Sequence, residues 1–283
     1  MEGEKVLSVS GLSKRYDKFR LDSVALDVRR GEIVGFIGRN GAGKTTTLKA
    51  LMDYLHPDAG EIEFFGKPLK GNEAEIKRRT GFVSGGVDYY MRRRLRTITD
   101  VTRGFYSNWD EGAYRRYMAE FGLDEYKTPA ELSAGMKVKY NLALALSHRA
   151  QLLLLDEPTS GLDPVSRDDL LDAFLELKRE GVSILFSTHI TSDLDKCADR
   201  VAYISNGKMR ACCTLEELLS AYAVAQIPKD ALSGIPQDLL IGVKPARCGY
   251  SALVRREDTA GLNVPTVAAA LDDVIVHMEK EAQ

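Results

Sequence analysis

The chain has 283 residues, enough for one large domain with a sizeable buried core and a small appendage. Its 39 basic residues nearly balance its 41 acidic residues, so bulk charge predicts neither nucleic acid nor anionic lipid as a partner. The start, MEGEKVLSVS, lacks the apolar segment of a signal peptide, and no apolar run approaches the roughly 20 residues of a membrane-spanning helix. The four cysteines show no metal-ligand spacing, and we expect reduced structural thiols.

The first predicted elements are two strands and a helix. VALDVRRGEIVGFIG alternates and then becomes continuously apolar, which indicates strands that enter a core. After a glycine-rich turn, KTTTLKALMDYL has apolar residues at helical spacing. EIEFFGKPL then predicts a strand and a turn, and residues from about 90 to 149 have a mostly helical pattern.

The second half of the chain begins with two buried strands. LLLLDEP and GVSILFSTH are short apolar runs of the parallel-strand type, and the helical pattern DDLLDAFLELKREG separates them. RVAYISNGKMRAC predicts a hairpin around Asn206 and Gly207. Beyond about residue 216, prolines interrupt a weaker mixed pattern. The sequence therefore predicts an α/β domain with a helical insertion and a small tail.

The strongest chemical signal is GRNGAGKT, Gly38 to Thr45, which matches the phosphate-binding pattern G-x4-G-K-[ST]. It lies between an apolar strand and a helix, as the motif requires. Its glycines let successive backbone N–H groups point at phosphate oxygens, and the following helix adds its positive end. Lys44 would reach the β- and γ-phosphates, and the Thr45 hydroxyl would ligate Mg²⁺. The alternative is a glycine-rich turn that binds no ligand.

Polar residues follow the two later apolar strands. Asp156 ends LLLLDEP, where its carboxylate would lie near Mg²⁺, and Glu157 would then orient and polarise an attacking water. The alternative is that both acids cap the next helix or face solvent. His189 follows SILFST, and ligands of parallel sheets bind at the carboxyl ends of strands. We therefore expect His189 to contact the γ-phosphate, with a purely structural histidine as the alternative.

In this order, the motifs resemble those of the ATP-binding cassette (ABC) ATPase family. GRNGAGKT resembles the Walker A motif, LSAGM the signature, LLLLDEP the Walker B motif, SGLD the D-loop and STH the switch histidine. LSKRYDKF resembles the A-loop region, with Tyr16 in the place of the aromatic ring that stacks on adenine. The resemblance covers about residues 5 to 214.

The resemblance implies an α/β P-loop NTPase with a RecA-like core. We expect an N-terminal antiparallel β subdomain, an α-helical signature subdomain at about 88–149 within an ATPase domain of 1–215, and a small α+β extension at 216–283. The implied catalytic residues are Glu157 and His189, and the implied Mg²⁺ ligands are Thr45 and Asp156. The implied ATP-binding residues are Tyr16, Gly38, Asn40, Gly41, Ala42, Gly43, Lys44, Thr45, Thr46, Ser133, Gly135 and Asp163.

In the family, two cassettes pack head to tail, so that each ATP lies between the Walker A motif of one and the signature of the other. Here Ser133 and Gly135 of the signature are retained, while Ala134 replaces a glycine and Met136 replaces a glutamine. We expect this modified signature to function, because the backbone N–H groups at a helix start remain available to an anion.

A larger departure follows RRTGFVS, where Gly85 occupies the position of the Q-loop glutamine that in the family contacts Mg²⁺ or the attacking water. The Ser84 hydroxyl is a candidate substitute. The basic stretch VDYYMRRRLRTITDV comes next. It is either a solvated loop or, as its place in the family implies, a surface that docks a membrane partner.

These features most resemble the ATPases of bacterial ABC-2-type exporters, which act on small molecules, drugs or peptides beside a separate permease. The resemblance implies ATP and Mg²⁺ as cofactors, a homodimer or paired cassette, an ABC-2-type permease as partner and no nucleic acid. It also implies a peripheral protein at the cytoplasmic face of the cell membrane, soluble when isolated. The alternatives are an importer ATPase, which typically keeps the Q-loop glutamine, and a non-transport ABC ATPase.

Overall fold

The computed structural model describes residues 3–84 and 90–281. Gly85, where the sequence departs from the Q-loop pattern, lies outside the described residues. The chain forms two compact units, Met1–Met209 and Arg210–Gln283. This division falls within a strand, whereas the division predicted from the sequence follows residue 215, and the sequence-based domain bounds stay a prediction.

The first unit alternates strands and helices. Its strands are β1 (Lys5–Arg15), β2 (Arg20–Arg29), β3 (Ile33–Ile37), β4 (Ala59–Phe64), β5 (Lys67–Pro68), β6 (Thr80–Ser84), β7 (Leu152–Asp156), β8 (Ser183–Thr188), β9 (Arg200–Ser205) and β10 (Lys208–Thr214), the last containing the division. Its helices are α1 (Lys44–Leu51), α2 (Glu73–Arg79), α3 (Leu95–Arg103), α4 (Glu111–Glu120), α5 (Ala134–Ser147), α6 (Pro164–Arg179) and α7 (Thr191–Cys197).

A four-stranded sheet, in the order β2-β1-β4-β5, forms the expected N-terminal antiparallel part. Buried and exposed side chains alternate along much of β2, as in a strand with one face in the core. Phe65 and Gly66, between β4 and β5, both have positive φ, which is the conformation of a tight type I′ hairpin turn.

The central sheet has six strands in the order β10-β9-β3-β8-β7-β6. The five strands from β9 to β6 run parallel. Every residue of β3, β7 and β8 is buried, which explains why these strands are continuous apolar runs in the sequence. Because their carboxyl ends meet at one edge, the segments that follow them are brought together there.

The region predicted to be mostly helical contains α3, α4 and α5. Asp110 caps α4 and Ser133 caps α5, each through a side-chain oxygen that accepts a backbone N–H. A buried hydroxyl cluster joins the three helices, because the Thr99 hydroxyl lies 3.1 Å from the Tyr114 hydroxyl and 2.9 Å from that of Tyr140. The expected α/β fold with antiparallel and helical parts is therefore confirmed.

The second unit is an α+β arrangement whose sheet has the order β12-β13-β11-β14. Its apolar cluster contains Ala225 and Ala252, which are register partners on adjacent strands. Its elements are α8 (Leu215–Ser220), β11 (Tyr222–Ile227), β12 (Ile241–Ala246), β13 (Gly249–Arg255), β14 (Thr266–Ala268) and α9 (Leu271–Glu281). In the described parts of both units, no helix combines the length and the apolar character that crossing a membrane requires.

Candidate functional site

The glycine-rich loop connects β3 to α1, as its motif predicts. A Cβ atom added to Gly38 would lie 2.3 Å from the carbonyl oxygen of Ile204, so only glycine fits at this close approach. Gly41 and Gly43 have φ values of 83° and 116°, which glycine adopts without strain. Asn40 is exposed and Ala42 is buried at the turn of the loop.

Helix α1 begins at Lys44, directly after the loop. Its first N–H groups, near Thr45 and Thr46, have no partner earlier in the helix, and such groups bind anions at helix starts. The Lys44 side chain is only 5% exposed, and its ammonium donates to the Gly38 carbonyl oxygen at 2.6 Å. The backbone and the buried cation thus form a site that suits a phosphate chain.

Asp156 lies beside the start of α1. Its Oδ1 accepts a hydrogen bond from the Thr45 hydroxyl at 3.2 Å and another from the Ser187 hydroxyl at 2.7 Å. Ser187 also accepts the Glu157 backbone N–H at 2.9 Å, so one hydroxyl on β8 holds both acidic residues. Ser84 is the register partner of Asp156 on β6, which brings the backbone of Ser84 to the same edge.

The carboxylate of Glu157 lies between two nitrogen groups. Its Oε1 is 3.1 Å from the Lys44 ammonium, and its Oε2 is 2.8 Å from Nδ1 of His189. Glu157 has φ of 50°, an uncommon conformation for a non-glycine residue that is often found at functional sites. The alternative for Asp156 and Glu157 is that they cap the next helix. That helix is α6, and its N-cap is Asp163, so neither of the two acidic residues caps it.

Tyr16 lies in the turn between β1 and β2, where its backbone N–H bonds to the Phe19 carbonyl oxygen at 2.8 Å. Its side chain is 44% exposed, and its ring centroid is 6.3 Å from that of Phe19. Phe19 packs next to the glycine-rich loop, since its ring carbon Cζ would lie 3.1 Å from a Cβ atom added to Gly43. The turn therefore carries an exposed aromatic ring near the loop.

The signature residues form the start of α5. Ser133 is exposed, and its hydroxyl oxygen accepts the Met136 N–H at 3.2 Å. Ala134 is the first residue of the helix, a position where alanine is favourable, so this substitution introduces no strain. Gly135 is buried against α6, and a Cβ atom added there would lie 3.3 Å from the Ser166 Cβ.

The D-loop residue Asp163 accepts the backbone N–H groups of Val165 and Ser166 at 3.1 and 3.0 Å. The hydrogen bonds that this carboxyl accepts from Ser166 lower its pKa most, and the one from the Val165 N–H lowers it further. Asp163 thus shapes the start of α6, next to which Gly135 lies. The signature and the D-loop thus lie together at the start of α6.

Several residues of the site were not identified from the sequence. Ser187 donates to Asp156, Phe19 packs next to the glycine-rich loop, and the buried Asp193 accepts the hydroxyl directly before His189. Each is a single side chain without a diagnostic spacing. A polar pair at the end of an otherwise apolar strand, as in SILFST, was the available signal for Ser187.

The comparisons with known proteins agree with this geometry. Residues 21–160 match the family model described as ABC transporter. The chain is 33% identical to the bacitracin transport ATP-binding protein BcrA of Bacillus licheniformis, over 72% of this chain and 68% of that protein. The chain belongs to the family of ABC transporter ATP-binding proteins. The family resemblance drawn from the motifs is therefore confirmed.

Two further matches extend this result. The chain is 31% identical to the daunorubicin resistance ATP-binding protein DrrA3 of Streptomyces coeruleorubidus, over 97% of this chain and 96% of that protein. A solved structure of an ATP-binding subunit of an ABC transporter shares 31% identity, with a TM-score of 0.68 over 75% of this chain and 91% of that one. The present chain, as an ABC cassette, is a P-loop NTPase that binds and hydrolyses ATP. Such subunits dimerise and work with transmembrane permeases.

The first prediction concerns the close approach at Gly38. Gly38→Ala should weaken ATP binding by about tenfold or more, because the loop must move away from the Ile204 carbonyl oxygen to admit the methyl group. Titration with a fluorescent ATP analogue measures this effect. Gly234→Ala is the control, since in the described part of the chain no residue beyond its sequence neighbours lies within 4 Å of a Cβ atom there. Equal affinities of the Gly38 variant and the parent would contradict the close-packing argument.

Proposed function

We propose that this subunit powers export through an ABC-2-type permease at the cytoplasmic face of the cell membrane, with Mg·ATP as its fuel. The observation that carries the hydrolytic part is the Glu157 carboxylate, which lies within 3.1 Å of the Lys44 ammonium and 2.8 Å of the His189 ring. The names of BcrA, a bacitracin transport protein, and DrrA3, a daunorubicin resistance protein, support the export of a small molecule, drug or peptide.

The residues beside the phosphate-binding loop fit Mg²⁺. The Thr45 hydroxyl oxygen and Asp156 Oδ1 lie 3.2 Å apart, and both can act as metal ligands. Mg²⁺ prefers oxygen ligands and is commonly bound through one or two carboxylates together with substrate phosphates. We therefore assign Thr45 and Asp156 as its protein ligands. When bound by Thr45 and Asp156, Mg²⁺ would offset the negative charge that develops on the phosphates.

Glu157 is the proposed general base for hydrolysis. Its carboxylate can accept a proton from a water aligned with the γ-phosphate, and it is held by groups from two other elements. Because a carboxylate only accepts, Nδ1 of His189 donates the hydrogen bond to Glu157. His189 thereby orients the base and is placed to contact the γ-phosphate, while Lys44 and the loop N–H groups bind the phosphate chain.

The proposed second half of the site comes from another cassette, which can be a second copy of this chain. Ser133 is exposed at the start of α5, and its hydroxyl can donate to a phosphate oxygen while it accepts the Met136 N–H. The first N–H groups of α5 around Gly135 add an anion-binding helix end. Asp163 and the rest of the D-loop lie next to this helix start, where the opposing cassette would dock. Tyr16 would stack on adenine.

The second prediction concerns the base. Glu157→Gln should reduce ATP turnover about a hundredfold or more and leave ATP binding nearly unchanged, because the amide keeps the shape but does not take the proton. Steady-state phosphate release and nucleotide titration measure the two quantities. Glu176→Gln, on the exposed side of α6, makes the same chemical change away from the site. Parent-like turnover in the Glu157 variant would remove Glu157 from the mechanism.

The proposed permease surface lies at the start of the helical region. Arg92, Arg93 and Arg94 are exposed, and the exposed Arg96 guanidinium lies 3.9 Å from a Glu125 carboxylate oxygen. Such a cationic run is favourable where an acidic partner surface balances its charge. The Phe105 side chain, just after α3, is 79% exposed and adds an apolar contact. Charge and exposed apolar area together support docking of a permease segment that carries acidic side chains.

The third prediction tests this surface. Arg93→Glu with Arg94→Glu should reduce recovery of the subunit with the membrane fraction, and of the membrane proteins that co-purify with it, because attraction becomes repulsion. The affinity of the isolated subunit for ATP should remain nearly unchanged. The control pair is Arg255→Glu with Arg256→Glu, two adjacent exposed arginines of the second unit. If the Arg93 and Arg94 variant assembles as the parent does at low and high salt, the run is an ordinary solvated face.

A further inference from the structure

The buried carboxylate of Asp193 belongs to none of the proposed catalytic or ATP-binding residues. Asp193 lies in the first turn of α7 and is 0% exposed. A fully buried carboxylate is costly unless hydrogen bonds or a counter-charge compensate it. Its oxygens are held by side chains from three other places in the fold.

Two of these partners flank the proposed catalytic residues. Asp193 Oδ2 accepts the Thr159 hydroxyl at 2.7 Å and the Thr188 hydroxyl at 3.0 Å. Thr159 stands two residues after Glu157, and Thr188 stands directly before His189. Both threonines are buried. One carboxylate oxygen therefore joins the segment that leaves β7 to the carboxyl end of β8.

The third partner anchors the carboxylate to α6. The Arg167 guanidinium donates from Nε to Asp193 Oδ1 at 2.5 Å, and its Nη2 donates to the Ser192 hydroxyl at 2.9 Å. Arg167 lies in the first turn and a half of the helix that Asp163 caps. The arginine supplies the counter-charge that a buried carboxylate requires, while the other carboxylate oxygen accepts from both threonines.

We propose that Asp193 is a positioning residue for ATP hydrolysis, which fixes the Glu157–Asp163 segment against the strand end that carries His189. This inference rests on the proposed roles of Glu157 and His189. Neither threonine hydroxyl is proposed to touch the reacting atoms. Thr159 instead holds the backbone near Glu157, and Thr188 holds the backbone next to His189. Because the Glu157 side chain meets His189 at 2.8 Å, a small displacement of either backbone would separate base from histidine.

Replacement of Asp193 itself would be a poor test, because it would leave the Arg167 charge without its buried partner and loss of folding would imitate loss of catalysis. The threonines allow a cleaner experiment. Thr→Val keeps the shape and removes the hydroxyl, whereas Thr→Ser keeps the hydroxyl and removes a methyl group. If the hydroxyl hydrogen bond matters, the serine variant should keep a higher kcat than the valine variant. If only packing matters, the valine variant should keep the higher kcat.

We expect Thr159→Val and Thr188→Val each to lower kcat about tenfold while the Kd for ATP changes by less than about twofold. Thr159→Ser and Thr188→Ser should retain most of the parent kcat. The two valine changes combined should cost less than the product of their separate effects, because both release the same carboxylate. kcat is measured per ATP-binding site, so a smaller folded fraction does not lower it.

Thr80→Val is the matched control, since Thr80 is a buried strand residue of the same sheet whose hydroxyl has no hydrogen-bond partner among the described residues. It should keep the parent kcat. Parent-like kcat in both valine variants, or serine variants as slow as the valine variants, would overturn the positioning role. Glu157→Gln in the same assay separates the two claims. A slow Glu157 variant beside fast valine variants overturns only the inference, whereas a fast Glu157 variant overturns the proposed base.

Discussion

The register of the parallel sheet is the constraint on which the site depends. Asp156 pairs with Ser187 across β7 and β8, and Ile37 pairs with Thr188 across β3 and β8. The segments that follow these strands therefore leave the sheet at one level. A slip by one residue would turn the Ser187 hydroxyl to the opposite face of the sheet, away from Asp156. The Lys44, Glu157 and His189 contacts require the same alignment.

Much of this arrangement is predictable from the sequence. The glycine-rich loop has a fixed spacing because each of its parts meets the phosphate chain, and the apolar runs of β3, β7 and β8 reveal strands buried on both faces. The carboxyl-edge rule then places Asp156 and His189 near the loop. Ala134, which replaces a glycine of the signature, is the first residue of α5, and a helix start accepts alanine without strain.

Other parts could not be predicted, for identifiable reasons. The Asp193 cluster joins residues from β8, α6, α7 and the segment after β7, so its members share no sequence pattern. The strands of the second unit are short and prolines lie in or between them, so the alternation of apolar and polar residues is weak there. Asp163 illustrates a third limit, since the same carboxylate that the motif assigns to the D-loop also caps α6, and sequence alone does not separate the two roles.

The same residues serve the fold and the proposed function at the signature half of the shared site. Ser133 caps α5 and is exposed, so it is available to the proposed neighbouring cassette, while Gly135 permits α5 to approach α6 closely. The central claim is that ATP joins the loop of one cassette to this helix start of another. The most direct test is the molar mass of the Glu157→Gln chain by light scattering, with ATP or ADP, alone and combined with Gly135→Asp or Gly135→Asn. The account predicts a dimer with ATP only, abolished by the aspartate through repulsion of the γ-phosphate and weakened less by the uncharged asparagine of equal size, which meets the same close contact with Ser166 but carries no charge. A dimer that forms equally with ADP, or that survives Gly135→Asp, would contradict it.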